Sequence, residues 1–449
     1  MTLSARLAGV LPADRLLLDE DSLRGHRHDR SGWEPDGLPA AVVLPETTAE
    51  VQAVLRVATA TRTPVVVRGA GTGLSGAATA TNGEIVLSTA RLTAITELSP
   101  ADQLAVVQPG VVTADLDRAA AAHGLRYAPD PASVEISTVG GNIATNAGGL
   151  RCAKYGVTRD SVLGLEVVLA DGRVVRTGRR TVKGVTGYDL TGLFVGSEGT
   201  LGVVTAATVR LRPAPEQTAT IAAFFDTVDA AAAAVARLTI QPAIAELLDT
   251  ASLDAIDRAQ GTTFRERGEA FLLVQTDGHG AAAEAETVRT ALVPRATSVE
   301  VTTDPAVAAE LLAVRRLALP SLEKQGRVLI EDIAVPRSRL AEAVTAVAEI
   351  ARRHRVTVAT LAHAGDGNLH PIFVVDRAAE EVPEPVWAAA GEVFATALRL
   401  GGTLTGEHGV GVLKRRWLPD ELTPETLALQ HDVKALFDPD GILNPGKAL

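Results

Sequence analysis

Cysteine is almost missing from this chain: Cys152 is the only one among 449 residues. No disulfide can form within it, and it cannot by itself ligate a four-cysteine iron–sulfur cluster. Aromatic residues are scarce as well, at 3%, so the cores must be filled with aliphatic side chains. A cationic excess is also lacking. The formal net charge of −11 argues against a nucleic-acid footprint, which needs clustered Lys and Arg to neutralise phosphates. No apolar run approaches the roughly 20 residues that span a bilayer. The first segment carries Asp14, Asp19, Glu20 and Asp21, where a signal peptide would have a basic start and an apolar core. The expectation is a globular protein of the cytoplasm, or one peripheral to a membrane through a partner. Its length exceeds the usual single core and implies two or three domains.

What the chain has instead is glycine set among polar side chains. Near its end stands His363-Ala-Gly-Asp-Gly-Asn-Leu-His370, followed after a helical stretch by Thr405-Gly-Glu407-His408-Gly409. Three imidazoles and a carboxylate in glycine-rich turns are more polar groups than packing needs. A tight reversal through Asp-Gly would return the two imidazoles to one place, and Glu407 would complete an open site suited to zinc or manganese. The spacing is not His-Glu-x-x-His on a helix, which disfavours a zinc peptidase. In an extended segment neighbouring side chains point to opposite sides, so Glu407 can face a metal while His408 faces a substrate and accepts its proton near neutral pH. Two plainer readings stand beside this one: His408 as a fourth ligand or a hydrogen-bonding partner of the ligands, and the whole stretch as a surface loop.

A second glycine run lies far upstream, Arg68-Gly69-Ala70-Gly71-Thr72-Gly73-Leu74-Ser75-Gly76, just after the apolar strand Val65 to Val67. Glycine lets successive backbone amides close on an anion; Arg68 and Ser75 would add a charge and a hydroxyl at the rim. A tight turn between strands is the alternative. The run lacks the Rossmann spacing and the Gly-Lys-Ser/Thr of nucleotide triphosphatases.

Between and around these motifs, β-branched runs alternate with helical ones. Ala41 to Leu44 reads as a strand, and Thr47-Thr-Ala-Glu50 as a capping box opening a helix with Val51, Val54, Leu55 and Ala58 on one face. Further strands are expected at Ile85 to Leu87, Ala105 to Val107, Leu165 to Leu169 and Val203 to Leu211. A helix from about Ala114 to His123 should close at Gly124. Pro213-Ala-Pro215 is the best linker. Beyond it, strands at Ile221 to Phe225, Glu246 to Leu248, Phe271 to Gln275 and Val328 to Ile333 alternate with helices, including one near Arg339 to His354. Sheet covered by helices is the simplest packing for that order.

Three more segments carry a resemblance. Pro129-Asp-Pro-Ala-Ser133 leads to Thr138-Val-Gly140-Gly141-Asn142-Ile-Ala-Thr-Asn146-Ala-Gly148-Gly149 and Lys154-Tyr155-Gly156. Thr186-Gly-Tyr-Asp-Leu190 leads to Gly196-Ser-Glu198-Gly199-Thr-Leu-Gly202-Val203, and the chain closes on Phe437-Asp-Pro-Asp-Gly-Ile-Leu-Asn444-Pro-Gly-Lys447. From about Pro39 to Leu449 the ordered match resembles the flavin fold of vanillyl-alcohol oxidase and p-cresol methylhydroxylase. It is most similar to the branch of the glycolate oxidase catalytic subunit, D-lactate dehydrogenase and D-2-hydroxyglutarate dehydrogenase.

The resemblance implies an α+β protein: a two-lobed flavin-binding domain over 1–215 (core 39–213), a cap over 216–405 with an antiparallel sheet covered by helices, and a returning segment 406–449. It implies that Arg68 to Gly76 holds the FAD pyrophosphate. Pro129, Ser133, Gly140, Gly141, Asn142, Asn146, Gly148 and Gly149 would line the flavin, with Gly199, Gly202 and Val203 along the adenosine side. Glu198 is a ribose or structural partner, and Asn444 belongs to the same cofactor set. No His lies in the loop where covalent members attach flavin, so dissociable FAD is expected, with Cys152 a small buried hydrophobe. His363, His370 and Glu407 match the metal ligands of the metal-containing members and His408 their base. Arg315, in Leu311-Leu-Ala-Val-Arg315-Arg316, matches the arginine that grips the substrate carboxylate.

The expected reaction is FAD- and metal-dependent oxidation of a D-2-hydroxy carboxylate, of the lactate or glycolate type, to the 2-oxo acid. Glu331 and Asp332 stand where 2-hydroxyglutarate enzymes carry a lysine nearby, which weighs against a dicarboxylate, although Lys324 and Arg327 are close. A separate iron–sulfur or electron-transfer protein is the implied acceptor and a homodimer the implied assembly. Rival readings are a noncatalytic flavin-binding subunit of a glycolate-oxidase-like complex, a D-2-hydroxyglutarate-type dehydrogenase, and a metal hydrolase without flavin.

Overall fold

The apolar face centred on Val51 becomes a helix over Thr48–Thr61. Thr47 caps it by accepting from the Glu50 amide at 3.2 Å, and Val51, Val54, Leu55 and Ala58 are buried against the first sheet. This computed structural model describes residues 1–379 and 381–449, and the chain divides into two compact units. The first comprises Met1–Gly149, Gly156–Ala214 and Glu407–Leu449; the second comprises Leu150–Tyr155 and Pro215–Gly406.

The first unit holds two larger sheets and a two-stranded pairing. One sheet has four strands in the order Leu16–Leu17, Ala41–Val43, Ile85–Ser88, Val65–Arg68. Its last three strands are parallel, and Val65–Arg68 ends directly in the glycine loop. The other is antiparallel: Ile95–Ser99, Leu104–Val107, Val203–Arg210, Val162–Val168, Val174–Gly178. The helix expected near Ala114 runs over Thr113–Ala121, and Gly124, at φ +70°, turns the chain in the left-handed region.

The second unit is one antiparallel sheet in the order Ser298–Thr302, Thr218–Phe225, Ala270–Asp277, Ile244–Leu248, Thr357–His363, Asn368–Val375, Arg327–Ile330. The two-residue strand Ile333–Ala334 also pairs with Asn368–Val375. The single strand expected from Val328 to Ile333 is therefore broken at Glu331 and Asp332. Helices Thr250–Gln260 and Pro305–Glu323 bury Leu253, Ile256, Val314, Ala318 and Leu322 on this sheet with Phe271 and Leu273. Leu150–Tyr155, delivered from the middle of the first unit's sequence, is fixed here by Tyr155 Oη donating to Asp277 Oδ2 at 2.6 Å and by the Lys154–Asp277 ion pair. Cys152 in that segment is half-buried, not the fully buried hydrophobe expected. Among the described residues no helix is long and apolar enough to cross a membrane.

Candidate active site

In the second unit the two motif histidines sit on a hairpin. Thr357–His363 pairs with Asn368–Val375, placing Leu361 opposite His370 and His363 opposite Asn368. Gly367 makes the reversal possible: it has φ +87°, and a Cβ there would lie 2.2 Å from the Val335 carbonyl oxygen. The two imidazoles are both buried and meet edge to face, with centroids 5.0 Å apart and planes at 84°.

On the other side of Thr357–His363 lies Ile244–Leu248, with Glu246 directly opposite His363. Opposed residues of an antiparallel pair share a face. Glu246 uses that position fully: Oε1 is 2.7 Å from His363 Nδ1, and Oε2 accepts from Arg315 Nε at 2.6 Å. Burial alone would raise this carboxyl, but the neighbouring His363 and Arg315 outweigh it and hold it below its ordinary value. Arg315 projects from helix Pro305–Glu323, where Val314 and Ala318 are buried, whereas Arg316, Lys324 and Arg327 are exposed.

A second acid, Asp332, is fully buried at the break between the two short strands. It accepts from Asn368 Nδ2 at 2.6 Å and Thr405 Oγ1 at 2.7 Å, and its Oδ1 lies 3.7 Å from His370 Nδ1. Asp332 is thus bound up in the hairpin and is not a surface acid. The sequence marked Asp332 only as an acid beside the substrate's far end, and Glu246 did not stand out as part of a site at all. The available signal was an acid inside an otherwise apolar strand, Ile244-Ala-Glu246-Leu-Leu248, since such a carboxylate must find partners when buried.

In the first unit, none of the hydrogen bonds among the described residues is donated by the backbone amides of Gly69 to Gly76. Amides gathered in one glycine loop without protein acceptors suit the phosphate oxygens of a dinucleotide. Arg68 does not sit at the rim as expected. Its guanidinium turns inward, donating to the His28 carbonyl at 2.6 Å and the Ala78 carbonyl at 3.3 Å. A Cβ on Gly71 would lie 2.1 Å from it, so Arg68 shapes the loop from within.

The segment that opens at Glu407 is tied to this loop. Ser75 Oγ donates to the His408 carbonyl at 3.0 Å, and the Val412 and Leu413 amides donate back to the Ser75 carbonyl at 2.9 and 3.2 Å. Glu198, itself at φ +50°, accepts from the Val410 amide at 2.8 Å and the Gly411 amide at 2.9 Å. Burial pushes its carboxyl up to about 7 despite those two donors. Both carboxylate oxygens of Glu198 are thus engaged by the backbone at 410–411. Glu407 and His408 lie in a bend, not an extended run, and Glu407 Oε1 stands 4.0 Å from His408 Nε2. Alternation along a strand therefore does not separate their tasks.

Several residues expected to line the flavin are occupied with protein. Asn142 Nδ2 donates to Thr113 Oγ1 at 2.7 Å, Asn146 Oδ1 accepts from the Arg159 amide at 2.9 Å, and Asn444 Nδ2 donates to the Glu198 carbonyl at 2.7 Å. Gly140, Gly149 and Gly202 permit close packing: a Cβ would lie 2.4 Å from Pro109 Cβ, 2.3 Å from the Asp130 carbonyl oxygen and 2.4 Å from Val167 Cγ1 respectively. Gly141 follows the helix-capping Thr138, whose Oγ1 accepts from its amide at 3.3 Å. Pro129 and Gly148 are buried and Ser133 is half-buried. Gly199 takes φ +73° beside Val67, and Val203 starts the central strand of the five-stranded sheet.

This fold is shared with flavoprotein oxidases. The 4-ethylphenol oxidase from Gulosibacter chungangensis superposes with a TM-score of 0.80 at 20% identity, covering 99% of this chain and 96% of that one. For p-cresol methylhydroxylase the score is 0.79 at 18% identity, with the same coverage. Sequence families narrow the class. Residues 39–178 match the FAD binding domain, and residues 214–448 match the C-terminal domain of FAD linked oxidases. The chain is 43% identical to the glycolate oxidase subunit GlcD of Bacillus subtilis over 91% of its own length and 89% of the relative's. It is 38% identical to a D-lactate dehydrogenase of Archaeoglobus fulgidus, over 91% of each. The chain belongs to the FAD-linked oxidase family and is an FAD-linked oxidoreductase.

Proposed function

We propose that this enzyme oxidises a D-2-hydroxy carboxylate of the D-lactate or glycolate type to the 2-oxo acid, using dissociable FAD and a divalent metal held by His363, His370 and Glu407. The observation that carries the reading is the arrangement around Glu246, which binds an imidazole and a guanidinium through its two oxygens. The relatives named for glycolate and D-lactate point the same way. The donor set fits a metal: with Nδ1–H donated to Glu246, the lone pair of neutral His363 lies on Nε2, and His370 faces it edge-on. Glu407 follows Thr405 and Gly406 directly in the chain and supplies the carboxylate. Zinc or manganese suits two imidazoles and one carboxylate, and such an ion supplies Lewis acidity.

Arg315 binds the substrate carboxylate with the end of its guanidinium, its Nε being taken by Glu246. That grip would orient Cα, and the His408 imidazole is the assigned acceptor of the hydroxyl proton. FAD, when bound, would supply the hydride acceptor and pass the electrons on to a further acceptor.

The test is a panel of D- and L-2-hydroxy acids with a dye acceptor, with and without chelator, on the parent, Glu407→Ala and His408→Ala. D-lactate or glycolate should reduce the dye, and chelator should stop it. Glu407→Ala should lose metal and activity together. His408→Ala should keep metal and FAD but slow flavin reduction by about 10²- to 10⁴-fold. A His408→Ala enzyme that loses its metal while Glu407→Ala keeps it reverses the two assignments. A flavin that no hydroxy acid reduces would make the chain a noncatalytic flavin subunit.

A further inference from the structure

We infer that Glu246 is a positioning residue shared by the two halves of the substrate site: one carboxylate that sets both the metal-binding face of His363 and the angle at which Arg315 meets the substrate. The inference rests on the proposed roles of His363 and Arg315 and adds the group that joins them.

The geometry is specific. Glu246 is fully buried, and its oxygens are divided between two partners, Oε1 at 2.7 Å from His363 Nδ1 and Oε2 at 2.6 Å from Arg315 Nε. Neither partner is its sequence neighbour; they lie 117 and 69 residues away. His363 is set opposite Glu246 by strand pairing, and Arg315 comes from a helix packed on the same sheet. A carboxylate on Nδ1 fixes the imidazole tautomer and raises the basicity of Nε2, which strengthens it as a ligand. A carboxylate on Nε fixes the plane of a guanidinium and leaves its two terminal nitrogens as a fork for another carboxylate.

Sharing has a consequence that separate partners would not have. Any change at Glu246 must disturb metal affinity and substrate affinity together, whereas a change at Arg315 should disturb substrate affinity alone. Replacing a carboxylate that only filled a buried position would lower stability without moving either affinity.

The experiment uses the full-length FAD-loaded protein. Mn²⁺ binding is measured by calorimetry on the metal-stripped protein, KM and kcat with D-lactate and glycolate on the protein saturated with Mn²⁺, and the His363 ring nitrogens by ¹⁵N NMR. Glu246→Gln should weaken Mn²⁺ binding by about 10- to 100-fold and raise KM more than tenfold. The His363 tautomer ratio should shift and FAD content should stay unchanged. Glu246→Asp, which keeps the charge but shortens the reach, should fall between the two and serves if the glutamine variant does not fold. Arg315→Lys should raise KM and leave Mn²⁺ affinity unaltered.

Parent-like Mn²⁺ affinity in Glu246→Gln, in a protein where His363→Ala destroys binding, overturns the shared role. Loss of Mn²⁺ affinity with KM unchanged overturns it too, because Glu246 would then serve the histidine only. Unimpaired Mn²⁺ binding in His363→Ala would instead overturn the metal reading beneath it.

Discussion

Glu198 and Glu246 are both buried, and they behave in opposite ways. Glu198 in the first unit is answered by two backbone amides, and burial drives its carboxyl up to about 7. Glu246 in the second unit meets a guanidinium and an imidazole, and its carboxyl stays below the ordinary range. Both are buried; the partners decide. At Glu198 two amide dipoles and the charge of Lys414 offset only part of the lost hydration, while at Glu246 charged partners at hydrogen-bond distance outweigh it. The first acid is built to hold backbone and the second to hold charge.

The largest break in this contrast should come from Glu246→Ala, which leaves Arg315 without its buried counter-charge. We expect a loss of about 3 to 5 kcal/mol in urea unfolding of the second unit, and a much smaller change would mean that water replaces the carboxylate. The acidity of Glu198 gives the next effect. Its folded pKa is raised, so the stability it contributes is fully present below its unfolded value of 4.5 and is lost as pH climbs through about 7. The parent should therefore lose stability relative to Glu198→Gln between pH 5 and 7.5, by on the order of 3 kcal/mol at most. Parallel melting curves for the two proteins across that range would mean that Glu198 is ionised throughout.

Arg315→Lys sharpens the contrast from the other partner: it retains a charge near Glu246 but not the planar fork. KM for D-lactate should rise by about tenfold or more, with FAD content unchanged, and an unaltered KM would move the carboxylate anchor elsewhere. The smallest change is expected at Gly71, where φ is +70° and an added Cβ would press on Arg68. Gly71→Ala should lower FAD per chain severalfold while Mn²⁺ binding holds, as judged by absorbance and calorimetry.

Much of this was legible in the sequence where the physics is local. The Thr47 cap, the apolar face of Thr48–Thr61 and the Asp-Gly reversal between His363 and His370 depend on residues a few positions apart; the other half of the expected capping box is missing, since Glu50 turns to the Glu46 amide and Arg15. The glycine loop after Val65–Arg68 was legible for the same reason: its character lies in its own backbone. What could not be read was pairing across distance. Glu246 looked like one acid in a strand until the register set it opposite His363. Arg68 reads as a cation at the rim of a loop, and only the fold reveals that the His28 and Ala78 carbonyls draw it inside. The bend at Glu407 and His408 was likewise hidden, because Thr-Gly-Glu-His-Gly has no pattern that separates an extended run from a turn.

The hexapeptide Leu150–Tyr155 carries a different kind of consequence. A ribosome makes it well before Asp277, the residue that will fix it. The first unit waits longer still, since Val65 donates its amide to Ile442 and bridges to Leu443. Neither unit can therefore finish in the order in which it is translated: the second must recover a segment made early, and the first must hold an open edge beside Val65 until nearly the whole chain has emerged. Synthesis of this enzyme asks a nascent chain to remain soluble with two unfinished sheets, and its yield should depend on how quickly the last forty or so residues follow.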